Sequence, residues 1–244
     1  MQKNRKSVEE KSSLTLHVES LGIRRNGKWL IRNLNLEVDF ASSIAIVGPS
    51  GVGKTSFLKC LAGDLEPTEG FLYYRVADGT RKKPEEIRTH LGFIFQNLNL
   101  IENESVLYNV LVGRLGRYSS LRTFFGFPCP DKHDAFAILN DLGIGECVHK
   151  WVAEISGGEK QRVNVARALF QDSSIIFADE PLSHLDSQSV ENVLTRFRKE
   201  VKERNKTVFC VLHDSDFVEC FADFILTFNQ KNPSNWTFKE VLSK

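Results

Sequence analysis

The sequence predicts an α/β fold: a parallel-sheet core, a small antiparallel β subdomain and a helical insertion. Three observations carry that expectation. The runs "IAIV" (44–47), "FIF" (93–95), "IIFA" (175–178) and "VFCVL" (208–212) are apolar on successive residues, the pattern of strands covered on both faces. The first forty residues behave differently: "LTLHV" and "LNLEV" alternate, and Asn26-Gly27 between them is a hairpin signal. Between about residues 98 and 169 the apolar spacing is helical, with "SVLYNVLVGRL" and "DAFAILNDLGI" as amphipathic segments and the irregular "RYSSLRTFFGFPCP" between them.

The start, "MQKNRKSVEEKSS", is basic and then acidic with no apolar stretch behind it, so residues 1–13 read as a disordered, solvated tail rather than a signal peptide. Residues 14–244 then form one functional unit, with a core over 14–97 and 170–244 and a helical subdomain over about 98–169. After Asp186, a suitable N-cap, Val190, Val193, Leu194, Phe197 and Val201 share one helix face, and Glu200 and Arg204 are expected as an i,i+4 pair on the other. A net charge of +1, from 32 basic and 31 acidic residues, lacks the one-signed surface that grips nucleic acid. Five cysteines without Cys-x-x-Cys spacing argue against both a disulfide framework and a zinc site. No run approaches the ~18–20 apolar residues that span a bilayer, so any membrane role comes through a partner.

The chemistry begins at "GPSGVGKT", residues 48–55, which directly follows the apolar run 44–47 and opens an amphipathic helix, "SFLKCLAG". Strand, glycine loop and helix together are the context a P-loop requires. The fold expectation sharpens accordingly to a P-loop NTPase (RecA-like) core. Gly48, Gly51 and Gly53 permit the tight turn and clear space, so that the loop's backbone N–H groups, including those of Ser50 and Val52 beyond Pro49, can face phosphate oxygens. Lys54 should reach the β and γ phosphates, and the Thr55 hydroxyl, beside Ser56, should ligate Mg²⁺. "SIIFADEP", residues 174–181, delivers Asp179 and Glu180 at the carboxyl end of a strand, the edge where parallel sheets bind ligands. Asp179 fits the magnesium-holding carboxylate, and Glu180 is placed to polarise a water for attack on the γ phosphate.

A second phosphate cradle follows: "ISGGEKQRV", residues 155–163, is a serine and two glycines opening a helix. With the P-loop, Gln96 after a strand, "SGGEKQRVNVARAL" (156–169), "FADEP", "SHLD" (183–186) and His213 in that order, the chain resembles the ATP-binding subunit of ABC transporters over nearly its whole length. The resemblance implies ATP and Mg²⁺ as cofactors and two subunits standing head to tail. Each ATP is then clamped between the P-loop of one copy and Ser156, Gly157 and Gly158 of the other. It also implies that Gln96 joins magnesium and the attacking water to the membrane partner, that His213 touches the γ phosphate, and that Asp186 contacts the second subunit. Thr55, Gln96 and Asp179 form the implied magnesium set.

"VLYNVLVGRLGRYSSLRTFFG", residues 106–126, is similar to the corresponding stretch of phosphonate-import ATPases, through residues 113–117 ("GRLGR") and Leu121-Arg122. That likeness implies a transmembrane permease partner, indirect contact with a periplasmic or extracellular substrate-binding protein, and a peripheral position on the cytoplasmic face of the membrane. Three departures from the family pattern stand out. Arg24 occupies the place of the aromatic residue that usually stacks on adenine, Glu159 stands where glutamine is commoner, and "FASSI" lacks the usual glycine before the strand that leads to the P-loop. The rival reading is a soluble ABC-type ATPase of repair or translation; such relatives tend to carry two cassettes or long coiled-coil insertions, and this chain has neither. A regulatory module that holds ATP without turnover is disfavoured by Glu180 and His213.

Overall fold

The structure, a computed structural model, describes residues 14–39, 41–118 and 126–241. The tail expected at 1–13 and the Leu121-Arg122 pair lie outside the described residues. A hairpin opens the chain, with β1 (Thr15–Arg25) and β2 (Lys28–Val38) pairing antiparallel through Leu21–Leu34 and Ile23–Ile31. Its turn takes positive φ at Asn26 (48°) and Gly27 (76°), the two-residue geometry whose twist matches the flanking strands. Strand β4 (Glu69–Arg75) pairs with the other side of β1, and the short β5 (Arg81–Lys82) with β4, giving the order β2-β1-β4-β5.

The second sheet has six strands, and its four apolar runs are parallel neighbours: β3 (Ser43–Val47), β6 (Leu91–Ile94), β7 (Ile175–Ala178) and β8 (Thr207–Val211). With β9 (Phe224–Phe228), parallel to β3, and β10 (Trp236–Glu240), antiparallel to β9, the order is β10-β9-β3-β8-β7-β6. Alternate residues of each central strand enter different clusters. Ala45, Ile176, Ala178, Val208 and Cys210 pack toward the helices, whereas Ile44, Ile46, Ile175, Phe177, Phe209 and Val211 pack toward the antiparallel sheet. Both faces are therefore dry, which is why these strands read as unbroken apolar runs.

Helix α1 (Lys54–Ala62) follows β3 and ends at Gly63, whose φ of 76° makes it a left-handed C-cap. Among the helices between the sheet halves, α2 (Val106–Leu111) runs into a 3₁₀ turn over Val112–Arg117, and α3 (Cys129–Asp141) and α4 (Gly157–Gln171) follow. A Cβ on Gly113 would collide with the Arg167 carbonyl of α4, so the chain crosses that helix at backbone contact. Beyond β7, α5 (Ser187–Arg204) is capped by Asp186, and α6 (Ser215–Phe221) by Asp214.

The expected Glu200–Arg204 pair is present, and Glu200 is fully buried, gathering Arg196, Arg204 and Lys206 around it. Burial alone would push the Glu200 carboxyl up; the Lys206 and arginine charges outweigh it and hold the group below the ordinary glutamate range. Among the described residues Cys60, Cys147 and Cys210 are buried free thiols, and no helix is long and apolar enough to cross a membrane.

Candidate nucleotide-binding and catalytic site

Residues 48–55 bridge β3 and α1, and the glycines there have positive φ at Gly48 (149°), Gly51 (76°) and Gly53 (115°). A Cβ on Gly48 would sit 2.8 Å from the Phe228 carbonyl, and one on Gly53 3.0 Å from Leu30 Cβ, so the loop is pressed against β9 and β2 and has room on one side only. Lys54 Nζ donates to the carbonyls of Gly48 (2.7 Å) and Pro49 (3.1 Å). Burial pushes the Lys54 ammonium below its ordinary value, opposed by the nearby Glu180 and Asp179 carboxylates. Thr55 Oγ1 donates to Asp179 Oδ1 at 3.1 Å. Asp179 is only 2% exposed, and burial raises its pKa, with the Thr55 hydrogen bond working the other way. A desolvated carboxylate touching a hydroxyl is a donor set that suits a small hard cation, so these residues fit Mg²⁺.

The end of β7 places Glu180 next to Asp179 at φ 51°, a left-handed conformation that costs energy in a non-glycine residue. Glu180 accepts a hydrogen bond from Gln96 Nε2 at 3.1 Å, and its other oxygen lies 2.9 Å from His213 Nε2. A carboxylate oxygen accepts, so Nε2–H is the donor in this contact. Gln96 follows β6, and its loop is tied to α4: Asn164 Nδ2 donates to the Phe95 carbonyl (2.9 Å), and Arg167 donates to those of Leu98 (2.6 Å) and Asn99 (2.8 Å). The structure thus brings residues 48–56, Asp179, Glu180, Gln96 and His213 to one edge of the parallel sheet.

The second cradle stands elsewhere. Ser156 caps α4 in a reciprocal box: its Oγ accepts from the Glu159 N–H (3.3 Å), while its own N–H donates to Glu159 Oε2 (2.7 Å). Ser156 and Gly157 are exposed, and nothing lies within 4 Å of a Cβ built on Gly157. Among the described residues no hydrogen bond joins residues 156–158 to 48–55. Farther along α4, Gln161 Nε2 reaches the Glu180 carbonyl at 3.3 Å. Asp186 spends both carboxylate oxygens on Ser189, accepting from its N–H (2.9 Å) and hydroxyl (2.7 Å).

Arg24 lies at the hairpin, its Nε donating to the Gly27 carbonyl at 3.0 Å. Trp29, past the turn in sequence, is its direct cross-strand partner, and the indole lies 5.5 Å from the Arg24 guanidinium and 4.6 Å from that of Arg32. Sequence reasoning assigns Trp29 no role, although the two-residue turn at Asn26-Gly27 implies that pairing. It also assigns none to Asn164 and Arg167, whose i,i+3 spacing on one helix face is the available signal. The "GRLGR" segment braces a helix end: Arg114 donates to the Phe170 carbonyl (2.7 Å), and Arg117 to the carbonyls of Gln171 and Asp172, at the C-terminal end of α4. Likewise, the position lacking glycine in "FASSI" is Ala41, held at φ 61°.

The family model described as ABC transporter matches residues 31–183. The phosphonates import ATP-binding protein PhnC 2 of Oceanobacillus iheyensis is 34% identical over 237 residues, covering 93% of this chain and 93% of that protein. The protein of the same name from Halalkalibacterium halodurans is 37% identical over 215 residues, covering 86% of this chain and 88% of that one. Among solved structures, a dimeric ATP-binding cassette in a post-hydrolysis state, bound to ADP and Pi, is similar at a TM-score of 0.80 and 25% identity, covering 94% of this chain and 100% of that chain. The likeness spans the P-loop, the acidic strand end and the capped helix alike, and it runs the length of both partners. This chain belongs to the ABC transporter family, as an ATP-binding subunit.

Proposed function

We propose that this chain hydrolyses Mg-ATP in a head-to-tail pair of ATPase subunits and so drives uptake of phosphonate, or a related phosphorus oxyanion, through a partner permease. The observation that carries the reading is the convergence on Glu180. A carboxylate held between Gln96 and His213 follows directly on Asp179, which pairs with Thr55 instead. That separation divides the labour of phosphoryl transfer between a cation-holding pair and a water-polarising base.

In this mechanism the glycine loop and Lys54 bind the triphosphate, Lys54 exchanging its carbonyl contacts for phosphate oxygens. Thr55, Asp179 and the Gln96 side-chain oxygen would hold Mg²⁺, which would supply positive charge to the phosphate oxygens. Glu180 orients and polarises the water, and His213 would turn its Nε2–H from Glu180 to the γ phosphate, as Lys54 turns from its carbonyls. Ser156, Gly157 and Gly158 of the second subunit complete the pocket with a hydroxyl and the N–H groups of a helix start, which have no intrahelical partner. Arg24 and Trp29 offer the adenine a cationic and an aromatic surface side by side. Asp186, which contacts the second subunit in this reading, is presented by its cap on α5.

The cargo reading is supported by the two PhnC 2 relatives, whose names describe phosphonate import and which match nearly end to end. It places the chain peripherally at the cytoplasmic face, with a periplasmic or extracellular binding protein delivering cargo to the permease. The test is reconstitution with the permease and binding protein in liposomes, following labelled methylphosphonate uptake driven by Mg-ATP on the ATPase side. ATP hydrolysis without uptake would refute the cargo; absence of hydrolysis would refute the enzyme.

A further inference from the structure

Arg167, on α4, turns its side chain to the loop after β6. Its Nη1 donates to the Asn99 carbonyl (2.8 Å), and its Nη2 to the Leu98 carbonyl (2.6 Å) and to Asn164 Oδ1 (2.9 Å). Asn164 is fully buried and extends the hold, its Nδ2 donating to the Phe95 carbonyl at 2.9 Å. The carbonyls so held, of residues 95, 98 and 99, flank Gln96 on both sides, and Asn99 stands at φ 48°, a left-handed conformation that asparagine tolerates. Among the described residues no carboxylate pairs with Arg167, and burial alone pulls its guanidinium below the ordinary arginine value. A desolvated cation without a counter-charge is a costly packing group, and the hydrogen bonds it gives to carbonyls are the strong, charge-assisted kind.

We propose that Arg167, acting with Asn164, is a positioning residue for ATP hydrolysis: it fixes the backbone on both sides of Gln96 so that the glutamine amide meets Glu180. Gln96 is exposed, so its amide, 3.1 Å from Glu180 Oε2, takes its direction from the backbone that carries it rather than from burial. The planar guanidinium suits the task, because one rigid fork spans two successive carbonyls and the asparagine at once, which the point charge of a lysine does not. Released from that fork, the loop can move by about an ångström, and a misplacement of that size costs a reaction up to about 10²-fold. The bonds of Lys54 and Thr55 involve neither Arg167 nor Asn164, so nucleotide binding to a single subunit is untouched.

The inference rests on the hydrolytic reading above, and the experiment separates their failures. Arg167→Met keeps a long apolar stem and loses every donor; it is compared with the parent, alone and combined with Gln96→Ala. Turnover should fall about tenfold in Arg167→Met with half-saturating ATP within about twofold, and Arg167→Lys, which can reach one carbonyl, should recover part of the loss. In the Gln96→Ala background the same change should cost no further turnover, because no amide remains to be positioned. Chymotrypsin cleavage within residues 95–100 of the nucleotide-free protein should quicken about fivefold in Arg167→Met, reporting the released loop without any catalysis. Unchanged turnover or unchanged cleavage overturns the inference, as does an equal fall in turnover with and without Gln96, which would make the arginine a packing group. If Arg167→Met melts too low to assay, the cycle of Arg167→Lys with Gln96→Ala decides between the same outcomes. A parent protein that does not hydrolyse ATP refutes the enzyme reading, and this inference with it.

Discussion

Glu180→Gln is the sharpest perturbation of the site. The replacement keeps size and shape, and the local network can absorb it: Gln96 rotates its amide to present oxygen to the new N–H, while the new carbonyl accepts from His213 Nε2 at the existing 2.9 Å contact. What disappears is the negative charge and the basic oxygen. A positioned general base contributes about 10²- to 10⁴-fold, so turnover should fall by that factor, equivalent to roughly 2.7–5.4 kcal/mol of transition-state stabilisation. ATP affinity should hold or improve, because Lys54 and Thr55 hydrogen-bond to other groups and one anion beside the triphosphate is gone. The assay is phosphate release under saturating Mg-ATP, paired with nucleotide titration and size-exclusion chromatography, where the variant should accumulate as an ATP-bound dimer. Turnover within about threefold of the parent would refute the assignment of Glu180 as the base.

Asp179→Asn should raise the melting temperature of the protein without nucleotide. Burial lifts the folded-state pKa of this acid, so its ionisation costs stability as pH rises through that value, and the neutral amide escapes the cost. The same variant should lose the extra stabilisation that Mg-ATP gives over ATP with chelator; a lower melting temperature throughout would count against it. Ala41→Gly relieves a left-handed alanine at φ 61° and should stabilise by about 0.5–1 kcal/mol, read as ~1–3 °C in thermal melts. Glu200→Gln leaves Lys206 and Arg196 without their buried counter-charge and should destabilise by roughly 3 kcal/mol in denaturant titration at neutral pH. Because the folded-state pKa of Glu200 is depressed, its stabilisation is present above the ordinary glutamate range and lost as pH falls through the folded value, so the two proteins should converge in acid. Trp29→Ala should weaken binding of ATP and GTP alike by about 1–3 kcal/mol, the scale of base–aromatic stacking, whereas a strong ATP preference in the parent would contradict a base surface made of Arg24 and Trp29.

The central strands were legible because both sheet faces are buried, which leaves no polar residue to break runs such as 44–47 and 175–178. The loop at 48–55 and the acids at 179–180 were legible because their chemistry demands particular residues at fixed spacing along the chain. What escaped depends on distance through space. Trp29 reaches Arg24 only once the hairpin register is set. The burial of Glu200 needs Lys206 from beyond the helix end, and a helical wheel of 187–204 contains no such information. Strand β10 is half-exposed and pairs only at one edge, so its alternation is too weak to read against the surrounding loop. Cys147 meets Glu159 across a turn whose direction follows from the packing of α3 on α4.

The anchoring of α4 has a mechanical consequence. Arg114 and Arg117 fix its far end, and the Gln96 loop is tied to its middle through Asn164 and Arg167. A helix of 15 residues is a rod about 22 Å long, stiff against bending over such a span. Measured from the pinned end, Ser156 lies about twice as far out as Asn164, at the exposed tip of the rod. The glutamine loop beside Glu180 and the exposed serine and glycines at the start of α4 are therefore carried by one and the same rod.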